Sequence, residues 1–469
     1  MAKRASREAV SEEETLGHVQ RDIIMLKTFS FPGTVLVGLL TLVCTSCLQK
    51  KVAPPYNPVH HPAIEYHTVH ATGAFGQPYR VILKRYSRPE GKPVVLLHGL
   101  GKTGRAFDLV EGSPELSLAT FLFGQGYDVW LLNLRNRELA PGLRSTCPPP
   151  HEIEQQADPS VRKYRCETAS IDDYAIYDVP PMLNYLAALT GQPMTLVGNS
   201  LGGLVFTAYL EGAFHDRAML AQGLKRVRLS TELAAQRGGA IEHLVYLFSS
   251  PIIRFRWTLE QESERWQQLP PGERQPWVSH LYKRMVPDAQ LNPDYARYNF
   301  FLSLLAGSAS LDAQLLRHEL VSLGTILSNV LQPDTYLHPL IVARPAGYGW
   351  INWPPNLPEW GPYLLLDQVV DFPGRVLRQL LDIVRTGSFA SFDRTIDYGS
   401  RLSMLRNLKI TFVHGGRDKV FMPGTGYQTI VEQMGSGNDV HWKVFSELGH
   451  DDFLVLPSRY PELAEVLAD

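Results

Sequence analysis

This chain of 469 residues has no large excess of positive or negative charge. Lys and Arg number 45 against 47 for Asp and Glu, which leaves a formal net charge of -2 at pH 7. Proteins that bind nucleic acids usually carry a basic patch or stripe, so we expect no nucleic-acid partner. The 44% of hydrophobic residues is ordinary for a folded protein of one large or two medium domains.

Cysteine is scarce as well, and the usual metal-binding patterns are missing. The chain has four cysteines, with neither two paired C-x-x-C motifs nor an H-E-x-x-H motif. We therefore expect no metal site; we also expect no organic cofactor, on the grounds of the serine chemistry described below. Cys147 and Cys166 bracket a polar loop, where a disulfide would restrict the unfolded chain by about 3 kcal/mol. Two independent free thiols are the alternative.

Long uncharged runs are rare, but one lies near the N-terminus. Phe31–Leu48 is 18 residues without a charge, which fits a short membrane span or the hydrophobic region of a signal peptide. If translation starts at Met25, a short basic segment precedes this run. Thr45-Ser46-Cys47 resembles a bacterial lipoprotein cleavage site, although Cys44 stands where Leu or Val is usual. We predict lipidation of Cys47; an uncleaved anchor, a cleaved signal and a buried helix are the alternatives.

The remainder of the chain alternates apolar runs of strand length, such as PVVLLHG, YDVWLLNL and MTLVGN, with helical segments. This pattern predicts an α/β fold, with a mostly parallel sheet covered by helices on both faces. The pattern stops after Pro251 and returns near Leu408, and six of the eight tryptophans lie between. We predict a leader or anchor with a spacer, a first part of the core, a large helical cap insertion and a second part of the core, at 1–55, 56–252, 253–400 and 401–469. An independent downstream domain is the alternative to the insertion.

The most informative short segment is Gly198-Asn199-Ser200-Leu201-Gly202, which reads as G-x-S-x-G between an apolar strand and a helix. Glycines on both sides of a serine allow the chain to turn sharply from strand to helix, with the serine hydroxyl exposed on the turn. Ser200 is therefore the predicted nucleophile, and Gly198 and Gly202 are the predicted elbow glycines.

A serine nucleophile needs a base, and the base needs an orienting acid. Asp418 follows the strand of LKITFVHGG, and His450 follows the next strand, so both fall at strand ends in the order acid then histidine. We predict that His450 is the base and that Asp418 orients it. Asp451 and Asp452 compete for the acid role, but residues adjacent to the histidine cannot easily fold back onto its ring.

Acyl transfer also needs hydrogen-bond donors for an oxyanion. The backbone N–H of Leu201 lies at a helix N-terminus, where donors lack partners within the helix. The loop that begins His98-Gly99-Leu100 follows a strand and offers the N–H of Leu100 as a second donor. We interpret His98 as a structural residue that hydrogen-bonds beneath this loop.

With these residues the chain resembles the α/β-hydrolase superfamily. GYDVWLLNLRNRELAPG and SIDDYAIYDVPPMLNYL are similar to the acid lipase group, the gastric and lysosomal lipases. The resemblance implies an α/β-hydrolase fold and hydrolysis of lipid esters beneath a helical cap. The elbow differs, because Asn199 and Leu201 stand where those lipases carry histidine and glutamine. Asp172, Asp173 and Asp178 fall in the matching helix, where we expect structural roles.

Together these features predict an exported, membrane-associated serine hydrolase that cleaves small-molecule carboxylic esters through an acyl-enzyme. The cap is expected to form an apolar acyl pocket, and the N-terminal lipid or helix is expected to contact a membrane. An acyltransferase with the same three residues is one alternative, since an alcohol or thiol can replace water in deacylation. A catalytically silent hydrolase fold used as a binding module is another.

Overall fold

The structure, a computed structural model, describes residues 63–135, 138–140, 143–144, 169–252, 374–386, 388–416, 418, 421, 427–434, 437–455, 457–459 and 461–468. The predictions on Cys47, Cys147, Cys166 and most of the cap therefore lie outside the described residues. Nowhere in the described ranges is a helix both long and apolar enough to cross a membrane. The apolar run near the N-terminus is not among them.

The described part of the chain is built around one eight-stranded sheet with the order β1-β2-β4-β3-β7-β10-β11-β12. β2 runs antiparallel to both of its neighbours, and all pairs from β4 to β12 are parallel. Two short antiparallel pairs, β5 with β6 and β8 with β9, lie outside it. The strands are β1 Ile64–Thr72, β2 Pro78–Tyr86, β3 Pro93–Leu97, β4 Asp128–Leu132, β5 Glu138–Ala140, β6 Leu143–Arg144, β7 Met194–Asn199, β8 Ala213–His215, β9 Val227–Leu229, β10 Ile241–Leu247, β11 Lys409–Gly415 and β12 Asp439–Phe445.

Helices connect these strands. The α-helices are α1 Leu118–Gly124, α2 Ile171–Asp173, α3 Val179–Thr190, α4 Leu201–Leu210, α5 Arg217–Ala221, α6 Thr231–Gly238, α7 Gly374–Thr386, α8 Tyr427–Met434, α9 Asp452–Val455 and α10 Glu462–Ala468. A π-helical segment, Tyr174–Asp178, joins α2 to α3. Single 3-10 turns are Gly104–Phe107, Tyr398–Ser400, Leu402–Met404 and Pro457–Arg459.

The central strands are buried on both faces, which explains their continuous apolar sequences. All six residues of β7 are buried, and successive side chains enter different cores: Leu196 belongs to one apolar cluster and Val197 to the other. This is the alternation that a strand imposes when both faces of its sheet are covered. The expected α/β-hydrolase fold with a mostly parallel sheet is confirmed.

The acids of the helix that resembles the acid lipases have structural partners. Asp173 forms a capping box with Ser170, in which each side chain accepts from the other residue's backbone N–H. Asp178 is fully buried and pairs with the guanidinium of Arg135. Asp172 accepts hydrogen bonds from residues near the end of the predicted cap. These contacts agree with the expected structural roles.

Part of the predicted cap packs directly on this helix. The hydroxyl of Tyr398 donates to Asp172 at 2.7 Å, and the Phe392 N–H donates to the same carboxylate at 2.8 Å. Gln379 of α7 accepts from the backbone N–H of Ile171 at 2.9 Å. The described residues between 374 and 400 therefore contribute to the core, while the domain boundary at residue 400 stays a prediction.

His414 of β11 is a buried histidine whose titration should affect the stability of the protein at acid pH. It is fully buried, and neither ring nitrogen has a hydrogen-bond partner in the described structure. Burial lowers the pKa of His414 to about 3. Because the unfolded chain takes up this proton near pH 6.5, His414 reduces stability as the pH falls below 6.5, by up to about 1.4 kcal/mol per pH unit.

His414→Phe should remove this penalty, because phenylalanine keeps the ring without titrating. We expect the stability gain of the variant to grow by about 2 kcal/mol between pH 7 and pH 5, measured by urea unfolding. Ile410→Val, a buried position of the same strand where neither side chain titrates, is the control and should have the same effect at both pH values. An equal effect of His414→Phe at both pH values would contradict the prediction.

Candidate active site

Ser200 occupies a strained turn between β7 and α4. Its backbone has φ 51° and ψ -116°, although only a few per cent of residues other than glycine adopt positive φ. Three hydrogen bonds fix the turn: the Ser200 N–H donates to Leu247 O at 3.1 Å, and the Ser200 carbonyl accepts from Ser249 Oγ at 2.6 Å and from Gly203 N at 3.1 Å. Strained backbone held in this way concentrates at functional sites.

The glycines around Ser200 are required by close approach of other backbone. A Cβ on Gly198 would lie 2.5 Å from the nitrogen of Gly203, and a Cβ on Gly202 would lie 2.3 Å from the carbonyl oxygen of Leu97. No side chain fits at these separations. The helix can therefore start directly above the end of β7, which is what the sequence pattern predicts of an elbow.

Asp418 and His450 meet beyond the ends of the neighbouring strands β11 and β12. His450 Nδ1 lies 2.9 Å from Asp418 Oδ2, and both side chains are buried. Asp418 Oδ1 accepts the backbone N–H of Phe421 at 2.9 Å, which fixes the carboxylate. Because a carboxylate only accepts, Nδ1 carries the proton and Nε2 of the neutral ring is left as the basic nitrogen.

The surroundings of His450 are aromatic and negatively charged. The ring of Phe421 stacks on the imidazole at 5.7 Å, and Phe248 approaches it edge-on at 6.3 Å. Burial alone would lower the pKa of His450, but the charge of Asp418, the hydrogen bond to it and the nearby Asp451 together raise the pKa above its ordinary value. The shift makes Nε2 of His450 a stronger proton acceptor, a property that a general base needs.

Residues after β10 connect the serine turn to the histidine. Ser249 Oγ donates to the carbonyl of Ser200, and the adjacent Phe248 contacts the ring of His450. The backbone N–H of Phe248 donates to Val413 of β11 at 2.8 Å. Since carboxyl ends of parallel strands meet at one edge of a sheet, Ser200, Asp418 and His450 share that edge.

The loop after β3 passes against Ser200. A Cβ on Gly99 would lie 3.1 Å from the Cβ of Ser200, so the backbone before Leu100 borders the serine. His98 is buried beneath the loop, with Nδ1 2.9 Å from Gly99 O and Nε2 3.4 Å from the N–H of Leu134. These two bonds agree with a structural role for His98. The oxyanion roles of Leu100 and Leu201 stay predictions.

Of the three acids that were candidates to orient the base, Asp418 is the one hydrogen-bonded to His450. Asp452 instead accepts the N–H of Gly449 at 2.8 Å, and Asp451 pairs with Lys102. Sequence reasoning missed Ser249 and Lys102. The apolar run of β10 that ends in two serines was the available signal for Ser249, and no local pattern marks Lys102.

Comparison with known proteins gives a family match over most of the chain. The sequence profile described as "Alpha/beta hydrolase family" matches residues 94–466. That range includes both parts of the sheet from Val94 of β3 onward and all of the residues assembled above at its carboxyl edge.

Individual relatives match over shorter segments. The gastric triacylglycerol lipase of Mus musculus is 31% identical over 170 residues, which is 35% of this chain and 38% of that lipase. Triacylglycerol lipase 1 of Arabidopsis thaliana is 32% identical over 120 residues, which is 26% of this chain and 27% of that lipase. The chain thus spans less than two fifths of the length of either relative. The crystal structure of a putative aryl esterase from Burkholderia cenocepacia aligns with a TM-score of 0.39 and 14% identity, over 86% of this chain and 98% of that one.

The close approach at Gly198 leads to a stability prediction. Gly198→Ala would place a methyl group 2.5 Å from backbone, so we expect a loss of about 1–3 kcal/mol in the free energy of unfolding. Gly124→Ala, at an exposed end of α1 with open space around the new Cβ, is the matched control and should be neutral or stabilising by up to about 1 kcal/mol. Urea unfolding measures both, and equal stabilities of the two variants would contradict the tight turn.

Proposed function

We propose that this chain, which belongs to the α/β-hydrolase family, is a serine hydrolase that cleaves carboxylic esters through an acyl-enzyme. The observation that carries the proposal is the shared sheet edge, which holds both the strained turn of Ser200 and the buried Asp418–His450 hydrogen bond. Such an arrangement needs the elbow, the base and the acid on three different strand ends. A role in folding alone would not explain why the elbow, the base and the acid occur together at one edge.

In the proposed reaction, His450 Nε2 takes the proton of the Ser200 hydroxyl as Oγ attacks the ester carbonyl carbon. The resulting oxyanion accepts hydrogen bonds from the N–H groups of Leu201 and Leu100. When the tetrahedral intermediate collapses, His450 gives its proton to the departing alcohol and an acyl-Ser200 ester remains. Water then attacks this ester with the same proton transfers. Asp418 keeps the tautomer and stabilises the imidazolium.

The proposed substrate is an ester with an apolar acyl chain. Support comes from the names of the partial relatives, which are triacylglycerol lipases, and from the predicted cap with its tryptophans. The rings of Phe248 and Phe421 beside His450 add apolar surface at the reacting edge. Pockets for apolar ligands are lined mainly by such groups.

We also propose that the enzyme is exported and remains on a membrane through its N-terminus. The basic-apolar-small pattern that ends at Cys47 supports a lipid anchor, and the uncharged run Phe31–Leu48 supports a helical one. A membrane-bound position would keep the enzyme near esters that partition into lipid.

If Ser200, His450 and Asp418 act as one catalytic unit, the effects of their substitutions on kcat should not multiply. Ser200→Ala and His450→Ala should each reduce kcat for a soluble p-nitrophenyl ester by several orders of magnitude, and the double variant should lose little more. Asp418→Asn should be severe but weaker than Ser200→Ala. Ser113→Ala, a serine remote in sequence that hydrogen-bonds Glu115, should retain parent activity. Losses that multiply in the double variant would contradict a common mechanism.

The lipid anchor makes a mass-spectrometric prediction in a bacterial host that processes lipoproteins. The purified chain should yield no peptide upstream of Cys47, because cleavage precedes the final acylation of that residue. Cys47→Ser should leave the leader uncleaved, so that peptides upstream of residue 47 appear, whereas Cys44→Ser should be cleaved like the parent. An intact peptide that spans Cys44 and Lys50 would exclude the lipoprotein and support the uncleaved anchor.

A further inference from the structure

A buried ion pair joins two loops at the candidate site that are far apart in sequence. Lys102 lies two residues after Leu100 in the loop that follows β3, and Asp451 directly follows His450. Lys102 Nζ contacts Asp451 Oδ1, and the two side chains are 12% and 3% exposed. The contact brings two opposite charges together, but its geometry is not that of a hydrogen bond.

We propose that Lys102 and Asp451 form a positioning pair that sets the loop of Leu100 against the turn of His450. The pair would thereby fix the place of the proposed oxyanion donor relative to the proposed base. This inference rests on the proposed function, since it assigns a purpose to a link between parts of that site. Neither residue belongs to the elbow, the base or its acid.

Side-chain contacts matter for the position of the loop after β3, because its backbone makes few hydrogen bonds to other segments. Among the described residues, no backbone–backbone hydrogen bond joins residues 99–102 to another segment. Gly101 adopts a positive φ of 65°, and because a glycine has no Cβ the backbone can also leave this conformation easily. His98 fixes the start of the loop through Gly99 O. The Lys102 side chain then anchors its far end to the histidine turn.

The two charges also act on His450 in opposite directions. Asp451 raises the pKa of His450, and Lys102 lowers it. The remaining titratable neighbours are Asp418 after β11, His414 within β11 and Asp452 at the start of α9. The pair is nearly neutral as a whole, so removal of both charges should leave the pKa of His450 near the parent value. Removal of one charge alone should shift this pKa.

Three variants separate positioning from charge. Asp451→Asn should move the acid limb of the kcat/KM profile to lower pH, by about 0.5 pH unit, and Lys102→Met should move it by a similar amount to higher pH. The double variant should return the limb to the parent pH. Each of the three variants should lose about tenfold in kcat, because the same link is broken in all of them.

Lys225→Met is the matched control. Lys225 pairs with Asp173 elsewhere in the fold, and its side chain is 15% exposed against 0% for the acid. This variant should lower Tm while kcat and the acid limb stay at parent values. If Lys102→Met and Asp451→Asn behave in the same way as this control, the pair is only structural and the proposal is overturned. Multiplied kcat losses in the double variant would overturn it too.

A titration that does not need turnover distinguishes this proposal from the proposed function. In a Ser200→Ala background with ¹³C-labelled histidine, the His450 resonance is assigned by its loss in His450→Gln. Opposite shifts of the His450 pKa in Asp451→Asn and Lys102→Met support the pair even if the parent hydrolyses no ester. Absence of such shifts overturns the pair even if ester hydrolysis by the parent is intact.

Discussion

The left-handed backbone at Ser200 is the constraint on which the rest of the site depends. A residue with a side chain at φ 51° is strained, and the surrounding structure has to maintain it. Gly198 and Gly202 allow the backbones of α4 and β3 to approach within distances that exclude a Cβ. The carbonyl of Ser200 is in turn bonded by Ser249. The serine hydroxyl is thus placed by the packing of the sheet, with no need for a flexible loop.

Opposite charges are paired at the sheet edge that carries this fixed serine. The buried Asp418 lies 2.9 Å from His450, so an imidazolium formed in the proposed proton transfer would already have a partner of opposite charge. Asp451 would add a second negative charge, but Lys102 offsets it. A base with both acids uncompensated would bind its proton more tightly and act only at higher pH. The ion pair therefore keeps the site close to electrical balance.

The sequence predicted much of the fold and the placing of Ser200, Asp418 and His450 at strand ends, because both depend on local patterns. Continuous apolar runs identify strands buried on two faces, and the elbow follows from glycine spacing around Ser200. Strand order was sufficient to favour Asp418 over Asp451 and Asp452. The contact of Lys102 with Asp451 had no local signal, since two surface-type residues far apart in sequence meet only through the sheet topology. The packing of α7 against the helix of Asp172 escaped prediction for the same reason.

Ser200, at the strained turn, is the proposed nucleophile, and covalent labelling tests this role directly. A fluorophosphonate bears a leaving group that an activated serine displaces, and the adduct survives proteolysis. Labelling of the folded protein followed by peptide mapping should place a single adduct on Ser200, and prior denaturation should abolish it. An adduct on Ser249 or Ser250, the neighbouring serines at the same sheet edge, or no adduct on a folded chain that hydrolyses esters, would contradict the account.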